Sequence, residues 1–313
     1  MRVLVTGAAG FIGSHLVEAL IESPDVAFVR GVDSFVTGQR SNVAPFLERI
    51  DFVEGDLISA GVRERALDGI DLVFHEAAIP SVPRSVANPM ETHISGIHVT
   101  AQLLDDARLA GVKRFVFAAS SSAYGDSEVL PKHEEMPPDP LSPYAASKVA
   151  CEQYLKAYSR CYAMDAVSLR YFNVFGPRQD PNSPYSGVVA RFCEAFVHDR
   201  PITIYGDGLQ SRDFTFVKNV VQANLLAARH PAKLRGEIIN VGLGKRITLI
   251  DLLNTLNDIT GQNRKADFQP ARDGDVKHSQ ADISKALRVL GFNPNVDVRD
   301  GLEQTYNWYK SLT

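Results

Sequence analysis

The sequence is poor in several residues that would point to particular protein classes. It has three cysteines, Cys151, Cys161 and Cys193, with no CxxC pair among them. That is too few and too scattered for a disulfide scaffold, and it offers no cysteine zinc site, so no metal is expected. There is no basic excess: the net charge is −4 over 313 residues, so a general nucleic-acid binder is not indicated. No apolar run reaches the length of a membrane helix. The apolar start, MRVLVTGAAGFIGSHL, lacks the basic region and cleavage site of a signal peptide. The expectation is a cytoplasmic protein with no membrane partner. Apolar residues make up 45% and charged residues 22%, a balance that fits a globular chain and not a disordered one.

The alternation of apolar runs and helical patterns is informative. A short buried strand, RVLVT at 2–6, runs into a glycine turn. A helix with Leu16, Leu20 and Ile21 on one face follows, and a second strand ends at Asp33. Further strands are expected at 52–54, 72–75, 115–119 and 167–171, with long helices at 91–110 and 143–162. The tract 131–143 holds five prolines and reads as loop. Repeated strand–helix units with continuous apolar strands imply an α/β fold. We expect a Rossmann-type, doubly wound parallel sheet with a smaller mixed C-terminal domain. The expected division is 1–175 for nucleotide and 176–313 mainly for substrate, with later strands free to rejoin the large sheet. A helix is also expected at 281–290.

Strand, glycine turn, helix, strand and acid give the turn Gly7, Gly10, Phe11, Ile12 and Gly13 a mechanism. The glycines allow a tight turn and a close approach of pyrophosphate to the backbone, while the helix N-terminus offers its free amides. Asp33 suits the ribose hydroxyls of an adenosine and would repel a 2′-phosphate, which favours NAD over NADP. Asp56 and Leu57, in GDL, reach toward an adenine edge, and Ala77 and Ala78 leave room beside a cofactor. His75 reads as a packing residue at a strand end.

Two features carry the chemistry. Ser120, Ser121 and Ser122 stand at the carboxyl end of a buried strand, where open parallel sheets build their sites. Tyr144 and Lys148, in YAASK, lie one helical turn apart. An ammonium beside a phenol favours the phenolate, a form able to take a proton. YxxxK alone is common; with the serines and the glycine turn it forms a catalytic constellation.

These motifs, with HEAA, SSSAYG, LRYFNVFGPRQDP, GDGLQSRDFTFV and ARDGDVKHSQAD, resemble the extended short-chain dehydrogenase/reductases. Within them the chain is most similar to the nucleotide-sugar 4-epimerases, and to those acting on UDP-N-acetylglucosamine. The resemblance spans essentially the whole chain. It implies bound NAD, a UDP-sugar substrate and a homodimer built on two long helices per subunit. It also implies Tyr144, Lys148 and Ser120 as the catalytic group, with Tyr144 and Lys148 touching the cofactor too. Asn173, Arg212 and Arg272 would meet the diphosphate, Asp275 the uridine ribose, and Val189 and Tyr205 the uracil. Ser81, Arg84, Ser121 and Ser122 would face the hexose. Ser279 matches a gate beside C2, where a tyrosine elsewhere in the family restricts the pocket; its other reading is a cap for the helix at 281–290. Ser121 and Ser122 stand where related dehydratases carry an acid pair, which disfavours elimination. Two alternatives stay open: a UDP-glucuronate 4-epimerase, for which Arg84 and Arg178 are the candidate carboxylate donors, and a non-catalytic NAD-binding sensor or scaffold.

Overall fold

A computed structural model describes residues 1–181, 187–271 and 276–313. Its centre is a seven-stranded parallel sheet. In chain order the strands are β1 (Arg2–Thr6), β2 (Phe28–Asp33), β3 (Asp51–Glu54), β4 (Leu72–His75), β5 (Arg114–Ser120), β6 (Asp165–Tyr171) and β7 (Glu237–Val241). Their spatial order is β7-β6-β5-β4-β1-β2-β3, so the chain reverses direction across the sheet between β1 and β4. That reversal opens a crevice at the carboxyl ends of the strands. The inner strands are buried along nearly their whole length, as a sheet covered on both faces requires.

One face packs on the helices Phe11–Ile21 and Val217–Arg229, through residues such as Leu16, Val220 and Ala227. The other packs on Ala60–Leu67, Val99–Leu109 and Pro143–Cys161, through Leu103, Cys151 and Leu155. A separate core joins the helices Val188–Val197, Leu249–Thr260 and Val298–Lys310 to the strand Ile202–Tyr205. Three small ladders complete this region: Val174–Phe175 with Thr215–Phe216, Ser211–Arg212 with Ile247–Thr248, and Ile202–Tyr205 with Ala266–Gln269.

Two helix expectations are corrected. The span 91–110 is not one regular helix. It comprises Pro89–Thr92, a π-helical turn His93–His98 and then Val99–Leu109. The widened turn lies where Gly96 lets the neighbouring helix come close: a Cβ there would stand 3.2 Å from Ser147 Oγ. The later helix begins at Ser284, not at 281. Asp282 Oδ1 instead accepts from Ser284 N at 2.8 Å and holds the preceding residues in a turn.

Candidate active site

The nucleotide end is built backbone on backbone. Gly7 leaves β1 at φ +67°, a conformation L side chains rarely adopt, and a Cβ there would stand 2.9 Å from Ala77 N. Gly10 N donates to Gly7 O at 2.9 Å. Gly13 is tighter still: a Cβ would lie 2.1 Å from Gly7 O. The third glycine therefore serves contact with the turn itself. Gly10 is the N-cap of the helix that holds Phe11 and Ile12, with no side-chain cap and no acid in the first turn. The positive end of that helix is left for an external anion.

Asp33 closes β2 beside this turn. Its Oδ2 accepts from Ala9 N at 2.9 Å and its Oδ1 from Phe35 N at 2.7 Å. Burial pushes its carboxyl above the usual carboxylate range, against those two hydrogen bonds. Leu57 is buried, whereas Asp56 is exposed and accepts from Ile58 N in its own turn. Ala77 and Ala78 lie at the end of β4, next to the glycine turn. A glycine cradle, a bare helix end and an acid on the next strand fit a dinucleotide.

Three strands away from Asp33 stand the serines, Tyr144 and Lys148. Ser120 ends β5, in register with Tyr171 on β6. Its Oγ accepts from Ser122 Oγ at 2.8 Å and from Ser122 N at 3.2 Å, which folds the three serines into a tight turn. The helix Pro143–Cys161 opens with Ser142 as cap and Pro143 in its first turn. Both features fix where the helix begins, and so where Tyr144 and Lys148 point. Lys148 is buried; its Nζ donates to Ala118 O at 2.6 Å and lies 4.7 Å from the Phe117 ring centroid and 5.9 Å from that of Tyr144. Tyr144 and Lys148 line one small cavity with Ala77, Ala78, Thr92 and Cys151. His75 is packed beneath: Thr6 Oγ1 lies 2.8 Å from Nδ1 and Thr100 Oγ1 2.9 Å from Nε2. Burial drives its pKa down to about 3, which leaves it neutral and poorly suited as a base.

A second cleft gathers residues far apart in sequence: Asn173, Gln179, Val189, Gln210, Arg212 and Phe214. Asn173 has φ +33° and donates from Nδ2 to Asp213 O at 3.3 Å. Arg212 Nη1 donates to Ser211 O at 3.0 Å and to Lys277 O at 3.1 Å. Ser279 N donates to Ser211 O at 3.0 Å, so the segment carrying Ser279 is laced to the strand carrying Arg212. Ser279 caps no helix, because the next helix starts at Ser284 with Ile283 as N-cap. Arg272 and Asp275 lie outside the described residues.

Other candidates stand apart from the two cavities. Tyr205 ends the strand Ile202–Tyr205, and its carbonyl accepts from Gln210 Nε2. Ser81 is buried and caps the short helix Val82–Ala87 by accepting from Arg84 N at 3.0 Å. Arg84 grips Glu91 with two hydrogen bonds of 2.8 and 2.6 Å. Arg178 pairs with Glu18 at 2.7 Å, on the helix that follows the glycine turn. Two acids at these sites escaped the sequence reading, Glu76 and Asp213. Asp213 accepts from Leu243 N, Gly244 N and Ala281 N at 2.8, 2.9 and 3.1 Å, and burial raises its carboxyl to about 6. An acid next to Arg212 in an otherwise apolar stretch, RDFTF, was its only signal.

Among the described residues no group of three or more His, Cys, Asp or Glu could hold a metal ion, and no helix is long and apolar enough to cross a membrane. The profile of the NAD dependent epimerase/dehydratase family matches residues 3–242. A UDP-glucose 4-epimerase of Mycolicibacterium smegmatis is 38% identical over 99% of both chains. A solved UDP-N-acetylglucosamine 4-epimerase of Methanobrevibacter ruminantium, in complex with UDP-N-acetylmuramic acid, is 40% identical. It superposes with a TM-score of 0.94 and covers 100% of this chain and 99% of that one. A UDP-glucuronic acid 4-epimerase of Bacillus cereus, solved with UDP-glucuronic acid and NAD, is 34% identical with a TM-score of 0.92 and full coverage of both. The chain belongs to the NAD dependent epimerase/dehydratase family.

Proposed function

We propose that this member of the NAD dependent epimerase/dehydratase family inverts C4 of UDP-hexoses, with UDP-N-acetylglucosamine and UDP-N-acetylgalactosamine as its main pair. The observation that carries the reading is the placement of Tyr144 and buried Lys148 in one cavity, beside a strand that ends in Ser120. NAD, when held by the glycine turn, Asp33, Ala77 and Ala78, supplies a hydride acceptor and donor at C4. The chain's own residues handle the proton. Tyr144 takes it from the 4-hydroxyl and later returns it to the same oxygen. Ser120 holds that oxygen by a hydrogen bond, and the Lys148 ammonium, 5.9 Å from the phenol ring, brings a positive charge beside it.

Arg212 and Asn173 grip the diphosphate, and Val189 flanks the base, which leaves the hexose free to turn. A guanidinium suits that anchor because its fork matches phosphate oxygens. The serine at 279 leaves room for an acetamido group at C2. The two arginines considered for a C6 carboxylate are held by Glu91 and Glu18, so the uronate reading is the weaker one. A second copy of the chain would pack against the long helical spans 91–110 and 143–162, to form a homodimer.

The test is a kinetic panel on NAD-loaded protein: UDP-glucose, UDP-galactose, both N-acetyl analogues and UDP-glucuronate. The expected result is C4 inversion, fastest on the N-acetyl pair, without net NADH. No conversion of any member by protein shown to hold NAD would reject the reading.

A further inference from the structure

Glu76 has no part in the chemistry described so far. It directly follows β4, and its carboxyl reaches past the end of β5 to β6. There Oε1 accepts from the Tyr171 hydroxyl at 2.7 Å, and that hydroxyl accepts from Asn224 Nδ2 at 2.8 Å. Its backbone packs on the glycine turn: a Cβ at Gly7 would lie 3.1 Å from the Glu76 carbonyl carbon.

The strand order makes this position significant. Asp33 ends β2, the glycine turn follows β1, Glu76 follows β4, Ser120 ends β5 and Tyr171 ends β6, and these strands are neighbours in that order. A dinucleotide with its adenosine on Asp33 and its phosphates on the glycine turn must lay its other half across the ends of β4 and β5. Glu76 is the acid on that floor. The groups facing it are few. Lys148 acts on it from the helix Pro143–Cys161, Tyr171 from β6 and uncharged Asn224 from Val217–Arg229. His75, beside it in sequence, is neutral. Burial lifts the Glu76 carboxyl to about 7, while the Tyr171 hydrogen bond and Lys148 pull the other way.

We propose that Glu76 sets the redox preference of the bound nicotinamide: as a carboxylate it favours the oxidised, positively charged ring, and as a neutral acid it does not. The proposal rests on the NAD reading above. Reduction delivers two electrons and one proton to the ring as a hydride and removes its positive charge. The attraction to an ionised Glu76 is therefore lost on reduction, and the acid holds its proton more firmly beside the reduced ring.

The test equilibrates the NAD-loaded protein with a redox dye couple that supplies or accepts those electrons. The reduced fraction is read from nicotinamide absorbance and expressed relative to free NAD under the same conditions. In the wild type this relative ratio of reduced to oxidised cofactor should fall about 10-fold from pH 6 to pH 8.5, as expected for an opposite charge acting through a partly buried site. In Glu76→Gln it should change less than about 2-fold. Tyr171→Phe, which removes the hydrogen bond favouring the carboxylate, should move the fall to higher pH. A wild-type ratio that is flat with pH overturns the proposal without any variant, as does an unchanged slope in Glu76→Gln. A chain that binds no NAD overturns both the proposal and the cofactor reading, whereas bound NAD with a flat ratio overturns the proposal alone.

Discussion

Removing the Glu152 carboxylate should destabilise the protein more than most single substitutions. Arg170 on β6 donates from Nε and Nη2 to the two Glu152 oxygens, both at 2.8 Å, and the two residues are 2% and 0% exposed. The guanidinium also lies 4.5 Å from the Tyr124 ring centroid, and the Tyr124 hydroxyl donates to Asn240 Oδ1 at 2.7 Å. Glu152→Leu would leave a buried, unpaired cation, which costs about 3–5 kcal/mol. Against a total stability of roughly 5–15 kcal/mol, that is a large share. Arg170 Nη1 finds no acceptor even in the intact pair. Removing both charges, as Glu152→Leu with Arg170→Met, should therefore recover most of the loss. Urea unfolding of the wild type, both single variants and the double closes the cycle. A cost below about 1 kcal/mol for Glu152→Leu, or additive single losses, would refute the reasoning. The pair also bears on the site. Glu152 is one turn beyond Lys148, and Tyr124 ends the turn that holds the three serines. The double variant should thus fold and still turn over slowly.

Tyr144→Phe should retain NAD, measured on the purified protein, and lose about 10²–10⁴-fold in kcat, because the ring survives and the hydroxyl does not. Asp33→Ala should weaken NAD binding and narrow the discrimination against NADP, read from the two dissociation constants. The contribution of His75 to stability should fall as pH drops below about 6.5, because the unfolded chain takes up a proton that the buried ring, with its pKa near 3, refuses, while the raised carboxyls of Glu76 and Asp213 act in the opposite direction. At pH 5 this one group costs about 2 kcal/mol relative to pH 7, so His75→Gln should gain about that much at pH 5 over pH 7 when compared with the wild type in urea unfolding. Ser279→Tyr should cut kcat/KM for UDP-N-acetylglucosamine at least about 10-fold and leave most of the UDP-glucose rate; equal losses would remove Ser279 as the gate.

The nucleotide end was legible because its parts are local. The turn, the helix and Asp33 fall within one strand–helix–strand unit, where glycine and acid have fixed offsets. The reactive pair was legible for the same reason, as Tyr144 and Lys148 share one helix. The same spacing continues to Glu152, four residues further on, and an arginine inside the apolar run SLRYF needs a buried partner. The Glu152–Arg170 pair was not identified from the sequence; the pairing of β5 with β6 and the packing of the helix on them bring the groups together. The π-helical turn at His93–His98 had no such signal. It depends on a close approach between Gly96 and Ser147, which are 51 residues apart in the sequence.

The second cleft obeys a different logic. It draws Asn173, Val189 and Arg212 from the bend before a short ladder, a helix and a second ladder, so no spacing rule relates them. Asp213 ties together several of the segments beside it. Its buried carboxylate accepts three backbone N–H groups from two segments, Leu243 and Gly244 on one side and Ala281 on the other. The carbonyl of Asp213 also receives Asn173 Nδ2. One acid thus fixes the loop after β7 and the chain just past Ser279, while its own backbone meets Asn173. Ser279 lies between two such ties, its own N–H to Ser211 O and that of Ala281 to Asp213. A substitution at 279 therefore leaves the joint in place, because the Asp213 hydrogen bonds end on Ala281 N, Leu243 N and Gly244 N and not on the side chain at 279.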